Sequence, residues 1–217
     1  MTAETTNKPK VGRPKAGTEI ERNGHLLDQA LAMFMRKGYG NTSIANIAAA
    51  AGVSTRTIYE RYKNKAELML ASIDHMIDSD ISELQGIENL EQMPCREGLI
   101  TLGENMLAKV MQPQMISFYR MGVAEAMHFP ELSKLIETSG PKRIEAVIAD
   151  YLNRHREKEG LLIQDAELAA TLFLEMLFAV PRNKALFGNL EVDWNAKAHV
   201  ALVVQVFLYG IVERRPS

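Results

Sequence analysis

TSIANIAAAAGVSTRTIYERYKNK, Thr42 to Lys65, reads as two short helices joined by a tight turn and followed by the cap of a third. Ile44, Ile47 and Ala48 recur at helical spacing and give one apolar face over two turns. The alanine run lets another helix approach closely. Gly52 then breaks the pattern, and without a Cβ it suits the φ > 0 of a sharp reversal. Ser54 follows as an N-cap whose hydroxyl accepts from an open backbone N–H. The helix it starts carries Thr55, Arg56, Thr57, Tyr59 and Arg61, with only Ile58, and Val53 before it, clearly needed inside. A short helix rich in hydroxyls and arginine on a small apolar support is what a helix-turn-helix presents to a DNA groove. An αα-hairpin with an exposed polar helix is the competing reading, and spacing alone does not separate the two.

The charge distribution and the flanking residues move the reading toward DNA. The 217 residues carry a net charge of −2, but Met1 to Lys65 holds 11 Lys/Arg against 5 Asp/Glu, a net of +6. Ala66 to Ser217 holds 14 against 22, a net of −8. A basic head on an acidic body calls for a polyanion at one end only.

Upstream, Met1 to Gly17 has almost no apolar residues and is expected to be a flexible basic arm. Lys8-Pro9-Lys10-Val11-Gly12-Arg13-Pro14-Lys15 looks like an AT-hook core, in which Arg13 would enter a narrow A·T minor groove. A solvated tail is the plainer reading. Thr18-x-x-Glu21 reads as a capping box opening a helix with Leu27, Leu31 and Phe34 on one stripe, closed by Lys37-Gly38. Thr42 or Ser43 caps the next. Asn64-x-x-Glu67 is a box-like cap for a longer helix through Leu68, Ile73, Ile77, Ile81 and Leu84.

Taken together, Ala30-Leu31-x-x-Phe34-x-x-Lys37-Gly38-Tyr39, Thr42-Ser43-Ile44-x-x-Ile47-Ala48-x-x-Ala51-Gly52-Val53-Ser54 and Thr57-Ile58-Tyr59-x-x-Tyr62-x-x-Lys65-x-x-Leu68 resemble the DNA-binding domain of the TetR/AcrR family of bacterial regulators. Glu60-Arg61 departs from the family's usual His or second aromatic, and Tyr62 stands in the usual Phe place. The resemblance implies double-stranded DNA as partner. Thr42 and Ser43 would offer a hydroxyl and a helix N-terminus to phosphate. Ser54, Thr55, Arg56 and Thr57 would open onto base edges, and Tyr59, Lys63 and Lys65 would contact phosphate or pack the domain.

The rest of the chain is expected to be helical too, since no β-alternating run occurs. Pro94, Pro113, Pro130 and Pro141 sit where helices could start with Pro at N1, and Gly140 where one could end. Asp165 and Asp193 suit the N-caps of the last two helices, and Pro181 ends or kinks the first of these. Ala124 to Leu132, Ser139-Gly140-Pro141-x-Arg143 and Gly160-Leu161-Leu162 resemble the AefR-like C-terminal domain of some TetR-type regulators, which implies a homodimer and an effector pocket. Soft, large side chains suggest the pocket: Met106, Met115, Phe118, Met121, Phe173 and Met176, with Glu125 and His128 as polar members. Such stripes also build ordinary cores. Leu168, Leu172 and Glu175, with Ala198, Leu202 and Tyr209, make stripes suited to pairing two copies.

Other functions find little support. There is no run of about 18 apolar residues to span a membrane. The polar N-terminus lacks the apolar core of a signal peptide. A single cysteine, Cys95, excludes an internal disulfide and favours a reducing cytoplasm, which the resemblance implies to be a bacterial one. No nucleophile elbow, P-loop or HExxH occurs, and no two of the five histidines stand at metal-ligand spacing. No metal, cofactor or catalytic residue is expected.

The expectation is therefore an all-α chain with a basic arm over 1–17, a helix-turn-helix domain over 18–70 and an effector-binding and dimerisation domain over 71–217. Its function would be that of a homodimeric repressor, released from a palindromic operator by a small, largely apolar effector. An effector-independent architectural DNA-binding protein and a helical enzyme remain as alternatives.

Overall fold

Caps within three residues of their helices mark most of the boundaries of the chain. The computed structural model describes the backbone of residues 16–190 and 194–211, and side chains over 19–129, 142–190 and 194–210. Every regular element among them is helical. The head comprises α1 (Ala16–Lys37), α2 (Ile44–Ala51), α3 (Thr55–Arg61) and the start of α4 (Lys65–Gln85). Ser43 caps α2 by accepting from Asn46 N at 3.2 Å, and Ser54 caps α3 by accepting from Thr57 N at 3.0 Å. Gly52 closes α2 at φ 66°, the left-handed conformation its place in the turn called for. Asn64 accepts from Glu67 N at 2.8 Å, and Glu67 accepts from Lys63 N at 2.8 Å, so the two ends of this cap hold each other.

The body follows through a one-turn 3-10 segment, Leu90–Gln92, into α5 (Cys95–Val110), α6 (Pro113–Glu125), α7 (Pro130–Glu159), α8 (Ala166–Leu186) and α9 (Ala196–Ile211). Pro113 and Pro130 take the first positions of α6 and α7, whereas Pro94 sits one place earlier, at the N-cap of α5. Asp165 caps α8 as expected, accepting from Leu168 N at 3.0 Å.

Four expectations need correction. Gly140-Pro141 does not divide two helices, because α7 runs through both. Proline's fixed φ is helical, so it removes one donor there without reversing the chain, and α7 is held by packing on α4 and α8. Of the two readings of Pro181, an end is excluded, because α8 continues to Leu186. Thr18 lies within the first turn of α1, since that helix starts at Ala16; helix ends commonly shift by one or two residues. Asp193 lies outside the described residues, and Asn195 takes the cap of α9, accepting from Ala198 N at 3.0 Å.

Two apolar clusters result. Leu26, Ala30, Phe34, Ile47, Ile58 and Leu68 centre the head cluster. Leu99, Leu102, Tyr151, Phe173, Leu177, Val200 and Val204 centre the body cluster, formed by α5, α7, α8 and α9. Phe118 and Met121 of α6 belong to the head cluster, so the body is fastened to the head by side chains and not only by the chain running through α4. No helix among the described residues is long and apolar enough to cross a membrane.

Candidate nucleic-acid interface and body cavity

The head presents α3 on a small support. Ile58 is fully buried, while Tyr59 is 57% exposed and Thr55 and Arg56 are exposed. Ser54 and Thr57 also share a hydroxyl–hydroxyl bond of 2.8 Å, which keeps the first turn of α3 tight. Arg56 Nε donates to Glu60 Oε1 at 2.8 Å on an 88% exposed side chain. That bond and the charge of Glu60 hold the guanidinium above its ordinary pKa. Glu60, which departs from the family pattern, thus lines up the arginine along the helix. The end of α3 is tied down from the other side. Arg61 donates to Asn23 Oδ1 at 2.7 Å and Glu19 Oε1 at 2.9 Å, and Tyr62 Oη donates to Asn23 Oδ1 at 3.0 Å.

Not all expected contact residues face outward. Ser43 and Lys63 are exposed, and Thr57 is half-buried. Thr42 is 1% exposed, and its hydroxyl is turned inward to Gly38 O at 2.7 Å. Lys65 Nζ donates to Tyr39 O at 2.7 Å and Thr42 O at 3.1 Å, 4.2 Å from the centroid of the Tyr39 ring. Burial pulls the Lys65 ammonium below its ordinary pKa, partly offset by the charge of Glu125. Both residues therefore serve the turn between α1 and α2. Arg13 lies outside the described residues.

A cavity of about 370 Å³ lies between α4, α5, α6, α7 and α8, where the head and body clusters meet. Its wall is mostly apolar and includes Ile73, Met76, Ile77, Met106, Ile116 and Phe178. Of the residues expected to form a pocket, Met106, Met115 and Phe118 do line it. Phe173 is instead fully buried in the body core against Phe207, ring centroids 5.2 Å apart, and Met176 packs on the same core. Met121 is buried with the head, His128 is exposed, and Glu125 lies over the head's turn, its Oε1 3.6 Å from where a Cβ on Gly40 would stand. The polar side chains in the wall are Asp80, Lys109, Glu145, Thr171, Glu175 and Arg182. Lys109 is bound by Asp80 and, at 2.7 Å, by Glu83; burial opposes its charge, but the two carboxylates outweigh it and raise its pKa. Arg182 lies 4.7 Å from the Tyr119 ring and 3.4 Å from Glu175. The α4 residues and Arg182 were not expected from the sequence, since which side chains of α4 and α8 face the cavity is set by the packing of five helices. A more polar hollow of about 630 Å³ lies between the end of α4, the 3-10 segment and α7. Among the described residues, no group of three or more His, Cys, Asp or Glu is placed to hold a metal ion.

α6 touches both regions. Met115, Ile116, Phe118 and Tyr119 line the cavity, and Met121, Glu125 and the following Phe129 reach the head. On α8 and α9, Leu168, Leu172, Leu202 and Tyr209 are each more than half exposed, and Glu175 and Ala198 are exposed beside them.

Residues 26–72 match the family described as bacterial regulatory proteins, tetR family, and residues 97–210 match the C-terminal domain of AefR-like transcriptional repressors. The HTH-type transcriptional regulator AcrR of Shigella flexneri is 40% identical over 65 residues, only 30% of either chain. YvkB of Bacillus subtilis, an uncharacterized HTH-type transcriptional regulator, is 23% identical over 87% of this chain and 96% of its own. The solved structure of the flavonoid-responsive regulator FrrA superposes with a TM-score of 0.72 at 23% identity, covering 90% of this chain and 99% of that one. That likeness establishes the fold.

Proposed function

The chain belongs to the TetR family of bacterial regulatory proteins, with an AefR-like C-terminal region, and is a DNA-binding transcriptional regulator. From that premise we propose that it acts as a homodimeric repressor that leaves a palindromic operator when a small, largely apolar effector fills the body cavity. The observation that carries this is α6, whose first turns line the cavity while its end packs on the head. A ligand that favours one placement of α6 also favours one placement of the head, and its differential affinity for the two states is the free energy available to change DNA binding.

On DNA, Ser43 would meet phosphate at the N-terminus of α2, Thr55 and Arg56 would reach base edges, and Tyr59 and Lys63 would contact the backbone. Thr42 and Lys65 drop out of this footprint because their polar groups are engaged inside the head. One recognition helix of seven residues reads few base pairs, so two heads are needed, roughly 34–36 Å apart or a multiple of it. The apolar faces of α8 and α9 suit that pairing, since exposed apolar residues clustered on two neighbouring helices are uncommon on a monomer. An effector-independent protein would have a solidly packed body, and the cavity counts against it.

The test is to select bound fragments from bacterial genomic DNA, then screen metabolites for release, with sedimentation run alongside. One palindromic sequence, a dimer at micromolar concentration that Leu202→Glu splits, and release by an apolar compound are expected. No duplex preference in moderate salt, with or without metabolites, would overturn the reading.

A further inference from the structure

We propose that the effector of this cavity is an amphiphile with an apolar body and a single anionic head, and that Arg182 anchors that head. This rests on the effector reading above and narrows it. Among the described residues Arg182 Nε is buried and has no hydrogen-bond partner. An arginine is charged at all working pH values and carries five N–H groups in a rigid fork. Leaving one of them buried and unpaired is unfavourable, so the guanidinium is short of acceptors, and its other N–H groups, not the enclosed Nε, are those a ligand in the cavity would meet. The side chain is 17% exposed, and its one carboxylate, Glu175, stands at 3.4 Å on a 60% exposed side chain. It is an underbonded cation at the wall of a cavity.

The surroundings select what could bind there. The Tyr119 ring covers the guanidinium at 4.7 Å and blocks water from that face. The other cation in the wall, Lys109, is already held by Asp80 and Glu83, so it has no charge to offer a ligand. Apart from Asp80, Glu145, Thr171 and Glu175, the remaining wall is aliphatic, aromatic and thioether, and about 370 Å³ is at the small end of ordinary ligand cavities. One acceptor group and a chain or ring system without further polar atoms fit these constraints. A second anionic group would meet Glu145, Glu175 or Asp80. A carboxylate suits Arg182 best, because it can take two parallel N–H bonds from the guanidinium edge.

The experiment measures binding of decanoate, decanol and decylamine to the full-length protein by calorimetry. Wild type, Arg182→Met and Arg182→Lys are compared, with release of the selected operator followed in the same samples. Thermal unfolding confirms that each variant is folded. Decanoate is expected to bind wild type about tenfold or more tightly than decanol or decylamine. Arg182→Met should abolish that preference while decanol binding stays within about twofold, and Arg182→Lys should restore part of it. Equal binding of the three compounds to wild type, or an undiminished preference in Arg182→Met, overturns the anchor. If decanol or decylamine binds as well as decanoate and releases DNA, the anchor fails but the effector reading stands. If none binds, the anchor fails together with the apolar-effector reading.

Discussion

Phe129 stands edge-on to Tyr39, ring centroids 5.0 Å apart and planes at 73°. Tyr39 is 4% exposed in the turn between α1 and α2 and stacks on Phe34 at 5.7 Å, so Phe129 joins the end of α6 to the centre of the head. An aromatic pair of this kind contributes about 0.5–1.5 kcal/mol beyond its buried area. Phe129→Ala is therefore expected to leave operator affinity within a few-fold and to raise the effector concentration for half-release by about two- to tenfold. A release curve that does not move would show that the pair transmits nothing.

Lys65 illustrates how a cation can be spent inside a DNA-binding head. Its ammonium bridges the Tyr39 and Thr42 carbonyls, which would otherwise lose a charged donor. Lys65→Met should destabilise the protein by about 1–2 kcal/mol and leave the slope of log Kd against log salt unchanged. Lys63→Met should do the reverse, with near-normal stability and a slope reduced by about one. Chemical denaturation at fixed protein concentration and binding isotherms at several salt concentrations decide between them. A reduced slope for Lys65→Met with unchanged stability would return that residue to the phosphate contacts.

The caps were legible because each uses atoms within three residues: Ser43 with Asn46, Ser54 with Thr57, Asn64 with Glu67, Asp165 with Leu168. The fate of Thr42 was not: its hydroxyl donates to Gly38 O only four residues back, but that it is buried at all is set by how the turn packs on the head. The same limit explains Met121 and Glu125. Both lie on α6, but which helix lies across from each of its turns is set by α1, far away in the sequence. Gly140-Pro141 misled for the opposite reason. The local signal was strong, and a 30-residue helix packed on two neighbours overrode it. The exposed face of α3 is legible because a short helix with one buried residue, Ile58, leaves its trace in the spacing, whereas a cavity depends on five helices at once.

Gly98 is required by a neighbour rather than by its backbone. A Cβ there would lie 1.9 Å from Tyr151 Oη and 2.6 Å from its Cζ. Tyr151 is 1% exposed and packed against His155, ring centroids 4.2 Å apart, so it has little room to retreat. Gly98→Ala should cost about 1–3 kcal/mol through overpacking. Tyr151→Phe in that background should recover part of the loss, since the hydroxyl leaves while the ring carbon still crowds the new methyl. Denaturant unfolding of the four proteins of this cycle measures the coupling. Strictly additive effects would mean that the two positions do not meet.

Cys95 ties stability to pH at the alkaline end. Its thiol is 1% exposed, and burial, reinforced by the charge of Glu159, pushes its pKa up from 9.0 to about 12. A group whose pKa is raised by folding contributes stability that is complete below its unfolded value and is lost as pH rises through its folded value. The loss should therefore fall between pH 9 and about 12, where the unfolded chain releases a proton that the folded one retains. Tyr151 is shifted upward as well, again chiefly by burial, so the wild-type curve alone mixes two groups. Subtracting the curve of Cys95→Ala removes the burial part of the Tyr151 contribution and leaves Cys95 together with the rise its charge imposes on Tyr151. The wild type minus variant difference should be flat from pH 7 to about 9 and then decline. In parallel, a maleimide at pH 8 should label Cys95 no faster than the protein opens, because only the thiolate reacts and the folded chain disfavours it. Rapid labelling of the native protein, or a difference that stays level past pH 11, would place the thiol in contact with solvent and remove the linkage.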